Sequence, residues 1–523
     1  MSSLCESSLV PTTNTGEAIQ DRPAVAGVRA WLGLALLALP TMLLGLDLTL
    51  LHLALPALAA DLQPTSTQAL WIMDSYGFMI AGFLITMGTL GDRIGRRKLL
   101  MIGAAAFAVA SVMAAFSSSA EMLILARALL GIAGATLMPS TLALIRNLFA
   151  DSRQRALGFG IWATMFALGI ALGPAVGGVL LERFWWGAAF LIAVPVVALL
   201  IVIAPFLLPE YRAPEPGRLD LVSVGLSLAA MLPVIYGIKQ MAKDGFAMSS
   251  IGLTIAGLVC ALIFVRRQRL LDNPLLDMSL FATRAFSAAL VVLLFGLVAV
   301  GGTMLLVTQY LQLVAGFSPL IAGLWMGPPA LAMVIAGVTA PLLARRIRPG
   351  FVVSGALGLS VVGYVMLTVL EVGRHDVVMV VAGFSLAYLG LGTIAALGTE
   401  LVVGSAPAEK AGSASAMSET VQDLGVALGI AVLGSIATAV YRRAMTDRIP
   451  DELTGAAEDA VSDSLWAASA AAAKLPSGLM EEAQTAFTQG FAAAALFSAV
   501  SVAVLAILAA VALRDVRSLD DRQ

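Results

Sequence analysis

Apolar stretches long enough to cross a bilayer recur along the chain, each closed by a cluster of charged or turn-forming residues. The pattern predicts fourteen helices, over 30–53, 70–91, 98–117, 122–144, 156–181, 186–208, 219–238, 249–268, 286–312, 319–344, 350–371, 377–403, 412–440 and 488–513. The run 219–238 departs most from the pattern, since it holds Pro233 and starts at a charged edge. Two segments fall outside it. Residues 1–28 are Ser/Thr-rich and read as a disordered tail with no cleavable signal peptide. Residues 441–487 are Ala-rich, broken by Pro450 and Pro476, and read as a helical hairpin near the membrane surface rather than a separate domain.

One break orients the rest. Gly88 to Leu100, GTLGDRIGRRKLL, carries Arg93, Arg96, Arg97 and Lys98 between two uncharged runs. Basic loops stay in the cytoplasm, so this loop places both termini there. Most of the 31 Lys and Arg fall in the loops that this topology puts inside. Arg183, Lys239, Lys243, Arg374, Arg442, Arg443, Arg448 and Lys474 fall in loops outside, and Arg442 with Arg443 is the misfit.

Composition agrees. The 523 residues are 59% hydrophobic and 12% charged, with mean hydropathy +0.94. Soluble domains carry about 25% charged residues, so this is an all-α polytopic membrane protein. A net charge of -2 gives no basis for a nucleic-acid or acidic partner. Cys5 and Cys260, one in the tail and one in an apolar run, argue against a disulfide framework.

The chemistry is narrowed by elimination. None of the five lysines follows a glycine, so the chain lacks a phosphate-binding loop. His52 and His375 are far apart and have no ligand-spaced partners, so no metal or other cofactor is expected. A G-x-S-x-G elbow is also absent, and with it any sign of an enzyme. What remains is charge inside the membrane, which is costly and marks functional positions.

Asp47 lies about 16 residues past Trp31, roughly 24 Å along the first helix, with no cation within one turn. It reads as a functional acid, or as an inert one near the outer interface. Asp74 reads either as a second acid or as a headgroup-zone residue beside Trp71 and Tyr76. Glu419 and Asp423 are four residues apart and share one helix face with no Lys or Arg nearby. Such a pair cannot doubly ionise cheaply and titrates as one unit, which suits a site exchanging a proton for a cation. The competing reading puts both acids at a helix start, complementing its dipole. Glu400, near a span end, reads as structural. Arg127 is the lone cation within a span, serving either as structural glue or as the partner of a carboxylate. Gly169, Gly173, Gly177 and Gly178, with Pro174 among them, allow close helix approach and a kink.

Together these stretches resemble the fourteen-helix drug:proton antiporter branch of the major facilitator superfamily, from about residue 30 onward. The resemblance is carried by LDLTLLHLALP (Leu46–Pro56), GTLGDRIGRRKLL, LILARALLGIAGA, GIALGPAVGG and EKAGSASAMSETVQDLGVALGIAVLGS (Glu409–Ser435). His52 stands where Asn is usual and Leu130 where Gln is usual. The resemblance implies a major facilitator fold: a six-helix bundle over 29–210, two inserted helices over 211–285, a second bundle over 286–513, and a short tail over 514–523. It implies alternating access around a central cavity. It places Asp47, Glu419, Asp423 and Asp74 at protonation and cation-binding positions and Arg127 at a coupling position. Gly88, Asp92, Arg93, Gly95, Arg96 and Arg97 become a cytoplasmic latch. The tenth span, LWMGPPALAMVIAGVTA, lacks an acid that some relatives carry, which weighs against divalent-cation substrates.

The expected activity is proton-driven export of lipophilic cationic drugs from the inner membrane by a monomer in contact with lipid. Quaternary ammonium compounds and intercalating dyes form the core range, with fluoroquinolones at its edge. Tyr76, Phe83, Trp162, Phe166, Tyr310, Trp325, Met326 and Tyr388 are candidate cavity residues, aromatic or polarisable groups suited to cations. The rival readings are an exporter of a specific metabolite or lipid, and a non-transporting sensor that binds through 441–487.

Overall fold

A computed structural model describes residues 26–149, 151–212, 220–244, 247–271, 274–370, 376–405, 411–446, 448–450 and 453–514. Most of the 1–28 tail and of the 514–523 tail, and His375, lie outside the described residues. Among the described residues, fourteen helices are long and apolar enough to span a membrane. They are α1 (Val28–Leu62), α2 (Ser66–Ile94), α3 (Arg96–Ala115), α4 (Ala120–Leu148), α5 (Ser152–Arg183), α6 (Ala188–Leu207) and α7 (Leu221–Asp244). Then follow α8 (Met248–Leu270), α9 (Arg284–Val314), α10 (Pro319–Arg346), α11 (Pro349–Met366), α12 (Val377–Gly404), α13 (Ala411–Thr446) and α14 (Leu479–Ala512).

Every predicted span is present, and the corrections lie at the ends. The first helix runs through Pro56 to Leu62, where Gln63 (φ 47) stops it. The seventh continues past 238 to Asp244 despite Pro233, and the last begins at Leu479 rather than 488. In lipid, any backbone left out of a helix needs partners elsewhere, so helices run on until a local signal ends them. Those signals are visible at several starts. Thr65 and Gln68 form a reciprocal capping box at α2, Ser119 caps α4, and Ser318 with Pro319 opens α10.

Two apolar cores organise the bundle, one drawn chiefly from Leu34 to Leu208 and the other chiefly from Leu280 to Leu513. Alternating helices give the molecule a basic face, holding the α2–α3 and α10–α11 connections, and an opposite face holding the α1–α2 and α13–α14 connections. The halves meet along α2 and α13 and along α5 and α10. The hairpin α7–α8 lies outside both cores, with α7 packed on α2 and α13. Residues such as Leu253, Ile255, Leu262 and Ile263 leave α8 largely apolar on its exposed side. Between α13 and α14 the chain forms short helices Ala456–Asp463 and Leu465–Ala470. These are less superficial than a surface hairpin: Val461, Leu465 and Trp466 are buried.

Candidate functional site

Arg127 is not an isolated cation. Its Nη1 lies 2.7 Å from Asp47 Oδ2 on α1, and its Nε donates to the Ile72 carbonyl at 3.1 Å. The guanidinium carbon sits 4.5 Å from the centroid of the Tyr76 ring and 5.9 Å from that of Phe190. With the side chain only 2% exposed, the pair and the aromatic walls replace the water that the charge has lost. Arg127 is thus paired with a carboxylate, an arrangement that serves structural glue and functional coupling alike. His52, buried one turn beyond Asp47, lies within electrostatic reach of the same guanidinium.

Asp74 is enclosed by protein rather than exposed at the surface of the bundle. Both it and Lys239 are fully buried, with Lys239 Nζ 2.8 Å from Asp74 Oδ2 and 3.8 Å from the centroid of the Trp71 ring. Trp71 and Asp74 are three residues apart and so share the face of α2 that meets α7. The polar run KQMAKD after an apolar span reads as a loop, which is why Lys239 was assigned outside the membrane. The helix in fact continues to Asp244 and brings the ammonium to Asp74, giving that buried carboxylate a counter-ion.

Glu419 and Asp423 stand about two and three turns into α13, roughly 12 and 18 Å from its start at Ala411. Both lie beyond the first turn, where dipole complementation acts. Asp423 is 9% exposed and its Oδ2 has no hydrogen-bond partner. Neither acid has an ion-pair partner among the described residues. Gly77 of α2 faces this stretch: a Cβ there would stand 3.1 Å from Ala427 Cβ and 3.5 Å from the Asp423 carbonyl. Tyr76, next to Gly77, is within electrostatic reach of Asp47, Arg127 and Asp423 together. The structure therefore joins Asp47, Arg127 and Tyr76 in one cluster, and Gly77 beside Tyr76 meets α13 at Asp423 and Ala427. Asp74 faces α7 instead. Ser418 donates to Thr399 Oγ1 at 3.3 Å, beside the π-helical turn Ile394–Gly398 of α12, a distortion often found at functional sites.

The basic loop is tied down within its own half. Asp92 and Arg96 pair at 2.6 Å across one turn. Gly95 turns the chain at φ +112, a conformation open to glycine, and Gly88 packs against Pro139. Arg93 is exposed. Because Gly95 has no side chain to cap α3, Glu210 at the end of α6 does so from a distance. Its oxygens accept from the Arg97 and Lys98 backbone N–H groups at 3.1 and 3.2 Å. Arg97 also donates to the Pro205 and Leu208 carbonyls. Glu210 was not singled out from the sequence; only its position just past an apolar run marks it.

The glycines of α5 divide their work. A Cβ at Gly169 or Gly173 would strike α1 at Met42 or Thr49, and one at Gly177 would press on Leu50. Gly178 faces the other half, where a Cβ would stand 2.6 Å from Leu320 Cα, and Pro174 presents its carbonyl to Gly323 of α10. Ser318 adds a hydrogen bond to Glu182 at 2.6 Å.

The aromatic candidates do not converge on one pocket. Trp162 stacks on Phe166 and donates to Thr141 in the first half. Tyr310 packs on Phe491, Met326 is buried, and Tyr388 donates to Met304 Sδ, all in the second half. Trp325 stacks on Phe317, and Phe83 is half-buried on α2. A pocket that does bridge the halves lies at the opposite face, lined by Leu70, Leu305, Gln309, Gly434, Tyr441 and Trp466. The segment between α13 and α14 roofs it. Asp463 accepts from the Ser66 backbone N–H and hydroxyl at 2.5 and 2.9 Å, and Arg442, the topological misfit, reaches Asp463 at 3.5 Å.

Comparison with known proteins gives the same outline. The Major Facilitator Superfamily profile matches residues 37–430. The chain is 43% identical over 492 residues to the "Multidrug efflux pump LfrA" of Mycolicibacterium smegmatis, covering 93% of this chain and 97% of that one. It is 34% identical over 453 residues to the "Methyl viologen resistance protein SmvA" of Salmonella typhimurium, covering 86% and 90%. Among solved structures, a bacterial homolog of the human lysosomal transporter Spinster superposes with TM-score 0.67 at 15% identity, covering 94% of this chain and 98% of that one.

Proposed function

The chain belongs to the major facilitator superfamily, and from that premise we propose that it exports lipophilic cationic drugs in exchange for protons. It is a multi-pass membrane transporter and not an enzyme. Its relatives are named for multidrug efflux and for methyl viologen resistance, and methyl viologen is an organic cation.

The observation that carries the reading is the contrast among four acids placed within the helical bundle. Asp47 and Asp74 have cations of their own, whereas Glu419 and Asp423 have none among the described residues. An acid without a partner in a low-dielectric site binds either a proton or a cation. Protons and drug thus compete for Glu419 and Asp423, and each expels the other. Arg127 and Asp47 border this site through Tyr76, whose ring lies against the Arg127 guanidinium and whose neighbour Gly77 meets α13 at Asp423, and the pair carries the coupling in this proposal. The basic face is cytoplasmic in this reading, with both termini inside. Contact of α5 with α10 closes the outer exit, and the Asp92–Arg96 pair with its glycine turn serves as the latch. The transporter works as a monomer in the plasma membrane, driven by the proton gradient.

The test is ethidium uptake into inside-out vesicles with and without a proton gradient, for the wild type, Asp423→Asn and Glu419→Gln. Gradient-dependent uptake lost in both variants supports the proposal. Transport indifferent to the gradient refutes proton coupling, and no dye movement by the inserted wild type refutes the substrate class.

A further inference from the structure

The hairpin α7–α8 packs on α2, which belongs to the first half, and on α13, which belongs to the second. If the halves rock against each other, the hairpin cannot hold its place on both. The two contacts differ in chemistry. Toward α2, Lys239 makes a fully buried ion pair with Asp74 at 2.8 Å beneath the Trp71 ring, and Leu228 covers Gly82 so closely that a Cβ there would stand 2.7 Å from its Cδ2. Toward α13 the contact is wholly apolar: Ile235 of α7 clusters with Ala427 and Ala431, flanked by Leu424 and Leu428, and Phe78 of α2 packs into the same cluster. Charge pairs in a dry interface have a defined geometry and are expensive to separate; methyl surfaces slide without breaking directional bonds.

We infer that Lys239 is a positioning residue. Its bond to Asp74 fastens the inserted hairpin to the first half, so that α7 travels with α2, slides over the alanine face of α13 and keeps the α2–α13 seam closed to lipid throughout the cycle. Asp74 is thereby committed to the hairpin and is not a carrier of drug or proton. The transport readouts below rest on the export activity proposed above; the distance readout needs no substrate and rests only on the pH-driven rocking of the halves.

The experiment uses the full chain with Cys5→Ser and Cys260→Ser. Cross-linking Gly82→Cys to Leu228→Cys joins α7 to α2, and cross-linking Ile235→Cys to Ala431→Cys joins α7 to α13. The first leaves at least half of the ethidium efflux of its own reduced form; the second lowers efflux at least tenfold, reversibly on reduction. A harmless α7–α13 link, or a blocking α7–α2 link, overturns the inference. Independently of any substrate, spin labels at Thr67→Cys and Tyr236→Cys keep one distance when pH drives the halves apart, whereas labels at Tyr236→Cys and Arg443→Cys change theirs; the reverse pattern overturns it. Lys239→Arg retains most transport and Lys239→Met loses at least tenfold, with Asp74→Lys/Lys239→Asp recovering part of the loss. Wild-type transport by Lys239→Met overturns the assignment.

Discussion

Asp47 and Arg127 are 80 residues apart in sequence and 2.7 Å apart in space, joining α1 to α4 inside the first half. A buried pair of this kind is most costly when only one member is removed. Asp47→Asn leaves Arg127 charged against Tyr76 and Phe190, with a stability loss of about 3–5 kcal/mol. The double variant Asp47→Asn/Arg127→Gln is expected to unfold at a higher temperature than either single variant. Thermal unfolding in detergent measures this, and simple additivity of the two losses would show that the pair is uncoupled.

The opposite sign is expected for the acids of α13. Asp423→Asn and Glu419→Gln remove carboxylates that have no counter-ion among the described residues, so neither lowers the unfolding temperature. Both weaken ethidium binding roughly tenfold, equivalent to about 1.4 kcal/mol. Fluorescence titration of the purified protein tests this, with an uncharged dye of similar size as the control, whose affinity stays within about twofold.

Glu210 acts as a remote cap for α3, so Glu210→Ala should cost about 0.5–2 kcal/mol, the range of an ordinary N-cap. Gly95→Ala is predicted to be worse, because its φ of +112 is unfavourable for a side chain and a Cβ there meets the Glu210 carboxylate. Trypsin cleavage after Arg93 or Arg97 reports both effects, with Gly95→Ala cleaved fastest.

Asp463 joins the roof of the interhalf pocket to the first turn of α2. Asp463→Ala frees that roof while the helices stay in place. The expected outcome is unchanged insertion and faster hydrogen exchange over Ala456–Ala470, with little change in exchange over α13. Faster exchange throughout α13 would instead mean that the segment supports the bundle.

The fold was legible because lipid imposes one pattern on every span: an uninterrupted apolar run closed by polar residues. The acids were legible for the same reason, since Asp47, Glu419 and Asp423 interrupt such runs. Partnerships were not. Nothing local distinguishes Asp47, which has a cation across the bundle, from Asp423, which has none. Lys239 was hidden more thoroughly, because a lysine after an apolar run looks like the start of a loop whether or not the helix continues. Glu210 and Asp463 cap and clasp elements far away in sequence, and their neighbours in the chain carry no trace of it. The aromatic candidates failed to converge because aromatic rings fill helix interfaces throughout both halves.

The α5–α10 closure has a consequence for how fast such a molecule can work. Gly178 meets Leu320, and Gly323 meets the Pro174 carbonyl, with the Ser318–Glu182 hydrogen bond at the edge and no charge pair described between the two helices. A contact of this kind behaves like two polished surfaces: strong when flush, with few directional bonds to resist a small displacement. Opening should therefore respond weakly to ionic strength and strongly to any added bulk, so that one extra methyl group at Gly178 does more to the rate of opening than a tenfold change in salt.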